Sequence, residues 1–145
     1  MTVAKDPTNN LVIREYRDHD MTDVIHVWHQ CGLVVPNNDP KQDIERKLEV
    51  NPEWFLVGVL NEKPIATCMA GYEGHRGWIN YLAVLPSYQR CGIATHMMKE
   101  AEKRLIAANC PKINLQIRRV NIGVRKFYEH LGYADDDVIS MGKRL

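Results

Sequence analysis

The segment Leu82-Ala83-Val84-Leu85-Pro86-Ser87-Tyr88-Gln89-Arg90-Cys91-Gly92-Ile93-Ala94-Thr95 holds the residues best placed to do chemistry. An apolar run reaches Pro86, crosses a short polar loop and closes on Gly92 before a helical pattern begins. A strand–loop–helix junction with glycine in its turn presents several main-chain N–H groups to one point, and the helix dipole adds partial positive charge there. Such a junction accepts an anion, most often a phosphate. The loop of nucleotide hydrolases needs G-x-x-x-x-G-K-S/T, but here no glycine precedes Gly92 in the loop and no lysine follows it. The dinucleotide fingerprint G-x-G-x-x-G is absent as well. A second pair, Asn121 and Tyr128, stands two helical turns apart, so the two share a face. Tyr128 reads either as a core aromatic beside Phe127 or as a phenol available to a reaction.

The elements that must position these residues follow from periodicity and punctuation. Leu11 to Tyr16 alternates as a strand, and Asp18 or Asp20 caps a helix that ends near Cys31-Gly32. Asp39-Pro40-Lys41-Gln42 opens a second helix: an N-cap, a proline at the first position and a capping-box Gln. It turns Ile44 and Leu48 inward and ends near Asn51-Pro52. Strands are expected over Trp54 to Leu60, Pro64 to Tyr72 and Trp78 to Val84, the last two joined by the hairpin Glu73-Gly74-His75-Arg76-Gly77. After Gly92, the residues Ala94, Met97, Met98, Ala101, Leu105 and Ala108 recur at helical spacing. A strand over Lys112 to Ile117 and a helix over Ile122 to Leu131 follow, with Gly132 just past its end. Short terminal strands are expected near Tyr133 to Asp135 and Val138 to Leu145. The order is βααβββαβαββ, a mixed α/β domain over residues 11–145 behind a loose tail at residues 1–10.

Composition narrows the function classes. A chain of 145 residues with a net charge of +1 forms one domain and carries no bulk field toward nucleic acid or membrane. No apolar stretch approaches a membrane span, and the polar start of the chain does not read as a signal peptide. The 4 cysteines have no C-x-x-C spacing and read as reduced thiols of a cytoplasmic protein. The 6 histidines form no metal pattern, and none is expected to hold a metal.

The loop Gln89-x-x-Gly92-x-Ala94 resembles the Q/R-x-x-G-x-G/A loop of the GNAT (GCN5-related) N-acetyltransferase superfamily, which cradles the pyrophosphate of acetyl-CoA. Asn121…Phe127-Tyr128-Glu129-x-Leu131-Gly132-Tyr133 resembles the superfamily's C-terminal N…FYE segment, and the element order matches from Leu11 to Leu145. Val35-Pro36-Asn37-Asn38-Asp39-Pro40, Gly71-Tyr72-x-Gly74-His75-Arg76-Gly77 and Ser140-x-Gly142-Lys143-Arg144-Leu145 are similar to the bacterial YpeA-like branch. The resemblance implies a central, mostly antiparallel sheet with a splayed parallel strand pair. The main chain of Leu82, Ala83 and Val84 would hold pantetheine as a peptide adds to a strand edge. Gln89, Arg90, Cys91, Gly92, Ile93, Ala94 and Thr95 would hold the pyrophosphate, with Gly92 admitting the oxygens closely, Thr95 offering a hydroxyl and Cys91 a spacer. Asn121 would bond pantetheine, and Tyr128 would donate to the departing sulfur.

The resemblance also implies a reaction: direct transfer of acetyl from acetyl-CoA to an amine, on a protein N-terminus or a small molecule. A non-catalytic acyl-CoA-binding module is the alternative. A homodimer through the last strands is a further expectation. Many relatives carry a base, Glu, 11 residues before the loop glutamine; here that position is Trp78 and its same-face neighbour is Asn80. Glu73 and His75 in the hairpin are the nearest titratable groups, Glu73 acting through water or serving only as a turn carboxylate. A lysine-like amine costs about 4.6 kcal/mol to deprotonate at pH 7, and an α-amine only about 1.0–1.4. A site without a strong base suits the α-amine.

Overall fold

Residues 8–145 are described by a computed structural model in which strand β3 (Lys63–Tyr72) is buried without alternation from Pro64 to Ala70. Successive strand residues point to opposite faces, so both faces of β3 are covered. Helix α1 (Met21–Gln30) covers one, where Trp28 Nε1 donates to Thr67 Oγ1 at 2.9 Å. Helix α3 (Ile93–Ala107) covers the other, close to Ala66. It approaches so closely that a Cβ on Gly58 would lie 2.9 Å from Met97 Sδ and 3.1 Å from Ala66 Cβ. A glycine there lets helix and sheet meet.

Five strands form the sheet in the order β1-β2-β3-β4-β5: Leu11–Glu15, Phe55–Leu60, β3, Gly77–Val84 and Ile113–Leu115. The first three pairings are antiparallel. β5 is 3 residues long and enters beside the start of β4, where the Gly77 amide donates to the Lys112 carbonyl at 2.8 Å. Helix α2 (Pro40–Leu48) is capped as its sequence demands: Asp39 Oδ1 accepts from the amides of Lys41 at 3.0 Å and Gln42 at 3.4 Å. Its Ile44 is fully buried, with Trp28, Phe55, Leu56 and Ile65 also in the core.

The chain divides into two packed units, Met1–Asn114 and Leu115–Leu145. The tail expected over residues 1–10 lies outside the described residues as far as position 7; Thr8 to Asn10 form a turn. The second unit is built on helix α4 (Ile122–His130), capped by Asn121, whose Oδ1 accepts from the Val124 amide at 3.3 Å. Gly132, at φ +95°, ends it. The terminal strands expected at Tyr133 to Asp135 and Val138 to Leu145 do not form, and the observed order is βααβββαβα. The run Asp135-Asp136-Asp137 makes a turn instead: the Asp137 amide donates to Asp135 Oδ1 at 2.7 Å, and Asp137 sits at φ +56°. Val138, Ile139 and Met141 are exposed, so no buried face enforces the alternation.

Candidate active site

The loop between β4 and α3 is set by its two ends. The Leu85 amide still follows the sheet register, donating to the Ile65 carbonyl at 2.9 Å. Pro86 to Tyr88 make one tight helical turn, in which the Tyr88 amide donates to the Leu85 carbonyl at 2.8 Å. The chain then passes through two left-handed residues, Arg90 at φ +63° and Gly92 at φ +80°. A Cβ on Gly92 would meet nothing within 4 Å, so glycine is required there by conformation rather than by space. Arg90 carries a left-handed backbone without that freedom, at a cost of about 1–2 kcal/mol.

The result is a row of open donors. Among the described residues, the amides from Arg90 to Thr95 find no acceptor; the next amide, that of His96, donates to the Gly92 carbonyl at 3.1 Å. Consecutive amides around left-handed residues at a helix start make an anion-binding concavity. Gln89 braces the loop: its Nε2 donates to the Val84 carbonyl at 2.9 Å, and Cys31 Sγ donates to the same carbonyl at 3.2 Å. Burial raises the Cys31 thiol above its ordinary pKa. Cys91 Sγ turns back to the Gln89 carbonyl at 3.6 Å. Ile93 is buried and anchors the first turn of α3, while Ala94 and Thr95 stay half-buried.

Just upstream, β4 is irregular. Ala83 pairs with Thr67 and Val84 with Ala66, but the register shifts between Thr67 and Met69. Tyr81 lies at that bulge with φ +51°, a conformation costing about 1–3 kcal/mol that bulges beside functional sites often carry. Several contacts hold it there. Its ring stacks on Trp28 at 3.9 Å between centroids, its carbonyl accepts from Thr67 Oγ1 at 2.7 Å, and its hydroxyl donates to Asp43 Oδ2 at 2.6 Å. Burial first, and then the Asp43 carboxylate, push the Tyr81 phenol above its ordinary pKa, so it stays protonated.

At the other end of β4, Glu73 is bound into its own hairpin. Its Oε1 accepts from the amides of His75, at 3.1 Å, and Arg76; its Oε2 accepts from Trp78 Nε1 at 3.0 Å. The Arg76 amide and then the Trp78 indole hold its pKa below the usual carboxylate range. A carboxylate so occupied is a poor proton acceptor. The Trp78 indole therefore serves the turn.

Asn121 and Tyr128 lie in the second unit. Asn121 Oδ1 serves the α4 cap, which leaves its amide nitrogen as the group available to a ligand. Tyr128 is buried, its ring edge-on to Phe127 and Tyr133 at 5.1 and 5.6 Å between centroids.

A strand running into a braced loop of open amides, and that loop opening a helix, is the arrangement the sequence motif anticipates. The family model described as Acetyltransferase (GNAT) family matches residues 13–133. The chain belongs to this family. An acetyltransferase of Yersinia pestis (strain Pestoides F) is 45% identical over 133 residues, covering 92% of this chain and 94% of that protein. An acetyltransferase of Yersinia pseudotuberculosis is also 45% identical, with the same coverage of both chains. Solved structures share the fold. AAC(6')-Iy, bound to the bisubstrate analog CoA-S-monomethyl-acetylneamine, superposes with a TM-score of 0.76 at 17% identity, over 93% of this chain and 99% of that one. Ard1 of Thermoplasma volcanium gives 0.74 at 18% identity, over 86% and 83%. The protein is thus a GNAT acetyltransferase, an enzyme that moves acetyl from acetyl-CoA to an amine.

One contact beside the loop had no sequence signal as a pair. Asp43 and Tyr81 are 38 positions apart, and no spacing rule joins them. The only hint was local: Asp43 immediately precedes the core residue Ile44 on α2, on a turn that must approach the sheet.

Proposed function

We propose that the β4–α3 loop, through its main-chain amides from Arg90 to Thr95, grips the pyrophosphate of acetyl-CoA. The row of amides without protein acceptors carries this reading. The loop fits the group: successive donors and a left-handed glycine with open space around its Cα suit a diphosphate. Gln89 acts from behind, fixing the loop to Val84 rather than touching the ligand. Arg90 and Thr95 add a charge and a hydroxyl at the rim. The backbone of Leu82, Ala83 and Val84 orients the pantetheine arm; the helix cap at Asn121 leaves that residue an amide nitrogen for a ligand.

The bound acetyl thioester supplies the electrophile. Tyr128 gives the leaving sulfur a hydrogen bond that strengthens as negative charge develops, which requires no complete proton transfer. The acceptor is an amine of a protein N-terminus or a small molecule; an α-amine, about 9–17% neutral at pH 7, fits most easily. AAC(6')-Iy, which shares the fold, is solved in complex with a bisubstrate analog that carries an acetylneamine moiety, and this supports a small amine as one acceptor class.

The reading is tested by acetyl-CoA titration followed through thermal stability, then by thiol release across a panel of peptides and small amines. We expect a saturable rise in Tm and release with at least one α-amine. A rise without release from any acceptor points to an acyl-CoA-binding module; no rise refutes the reading. Tyr128→Phe is expected to lower kcat by about 10²-fold while leaving acetyl-CoA affinity within about twofold.

A further inference from the structure

An acceptor that arrives as an ammonium must lose a proton before its nitrogen can attack, and neither Trp78 nor Asn80 can take one. Glu73 is occupied by its turn. One carboxylate does reach the strand from elsewhere. Asp43, on α2, lies 2.6 Å from the Tyr81 hydroxyl, and Tyr81 immediately precedes the Leu82–Val84 backbone. We propose that Tyr81 and Asp43 form the route by which the acceptor's proton leaves, an assignment that rests on the acetyl-transfer reading above.

The arrangement is directional. The Tyr81 hydroxyl donates to Asp43, so its oxygen keeps lone pairs free to accept an N–H. Before the C–N bond forms, one ammonium proton passes to the Tyr81 oxygen while the phenolic proton passes to Asp43 Oδ2, which leaves a neutral amine with a lone pair for the thioester carbon. One N–H bond breaks and one carboxylic O–H bond forms; Tyr81 ends as the neutral phenol it began as. Asp43 then returns its proton to water through a side chain 26% exposed.

The supports of this pair are more elaborate than packing needs. Tyr81 is held in a left-handed backbone by the Trp28 stack and the Thr67 bond, and Trp28 itself bonds Thr67 at 2.9 Å. α2 is fixed on the sheet by fully buried Ile44 and by Lys47, whose Nζ donates to the Ala70 carbonyl. Burial lowers the Lys47 pKa, as expected for an ammonium drawn toward the sheet. Arg46 Nη1 lies 3.5 Å from Asp43 Oδ1.

Tyr81→Phe removes the hydroxyl and keeps the ring that stacks on Trp28; Asp43→Asn keeps the shape and removes the charge. Both are compared with the wild-type protein for circular dichroism, acetyl-CoA binding and thiol release. The acceptor probes are a pentapeptide with a free α-amine and an Nα-acetylated lysine amide. Each variant is expected to bind acetyl-CoA within about twofold of wild type and to lose about 10²-fold in kcat. Acceptor KM is expected to move less than about threefold. The kcat deficit is expected to be larger for the lysine amine, whose proton is harder to remove by about 2.5 pKa units. A merely structural bond would not discriminate between the two amines. If Tyr81→Phe fails to fold, Asp43→Asn alone decides. Wild-type kcat in a folded variant, or equal deficits for the two amines, overturns the relay and leaves acetyl transfer standing. Wild-type protein that binds acetyl-CoA without releasing thiol from either probe overturns the relay as well. Wild-type protein that does not bind acetyl-CoA overturns the underlying reading and the relay with it.

Discussion

β4 is flanked by two polar, glycine-bearing turns that handle their backbone donors in opposite ways. In the hairpin before it, Glu73 collects the amides of His75 and Arg76 and the indole of Trp78. In the loop after it, the amides from Arg90 to Thr95 meet no protein acceptor among the described residues. By composition the two segments look alike, since each offers charge, a glycine and a solvent-exposed position. They differ in whether the chain supplies its own anion. A turn that contains a carboxylate closes on itself, whereas one that contains none is left open for a ligand to close.

The sharpest way to break this contrast is to disturb the conformation that exposes the open donors. Gly92 sits at φ +80°. Gly92→Val meets no clash, since a Cβ there has nothing within 4 Å, but it disfavours that conformation by at least about 1–2 kcal/mol. The amides then point elsewhere. Acetyl-CoA affinity is expected to fall by at least about tenfold in titration calorimetry, with a small loss of Tm without ligand. A variant that binds normally would show that the main-chain amides are not the grip.

A milder intervention leaves the donors in place and removes their brace. Gln89→Ala deletes the bond to the Val84 carbonyl, worth about 0.5–1.5 kcal/mol. Acetyl-CoA affinity is expected to fall about threefold to fivefold, mostly through faster dissociation, with kcat held. Cys31 still occupies the same carbonyl, so the strand end is not left unpaired.

The contrast also explains what could be read along the chain and what could not. The strand–loop–helix junction at Gly92 was legible because its determinants are contiguous: a strand end, Gly92 and an amphipathic helix within one stretch. The α2 cap was legible for the same reason, Asp39 and Pro40 being adjacent. The antiparallel strands declared themselves by apolar runs between turn residues. Three features were not legible, each for a physical reason. The Asp43–Tyr81 bond joins a helix to a strand bulge, and neither motif nor periodicity encodes that distance. The engagement of Glu73 depends on the hairpin's conformation, which the letters Glu-Gly-His-Arg-Gly leave open. The terminal strands failed because Val138, Ile139 and Met141 alternate loosely with polar residues, yet the Asp135–Asp137 turn precedes them and no buried face receives them.

The smallest expected effect tests the closed half of the comparison. Glu73→Gln keeps an oxygen able to accept from the turn amides but replaces the other acceptor, which faced Trp78, with a donor. If Glu73 serves only its hairpin, acetyl-CoA affinity and kcat stay within about twofold of wild type and Tm falls slightly at pH 7. The pH dependence identifies the cause. The folded state holds the Glu73 pKa below its ordinary value of 4.5, so its stabilising contribution is fully present above that value. It is lost as pH falls through the depressed folded value. The Tm gap between wild type and variant should therefore hold steady from pH 7 to about pH 5 and close in more acidic solution. A kcat that falls tenfold with Tm unchanged would move Glu73 from the turn into the chemistry and would remove the need for a carboxylate from α2.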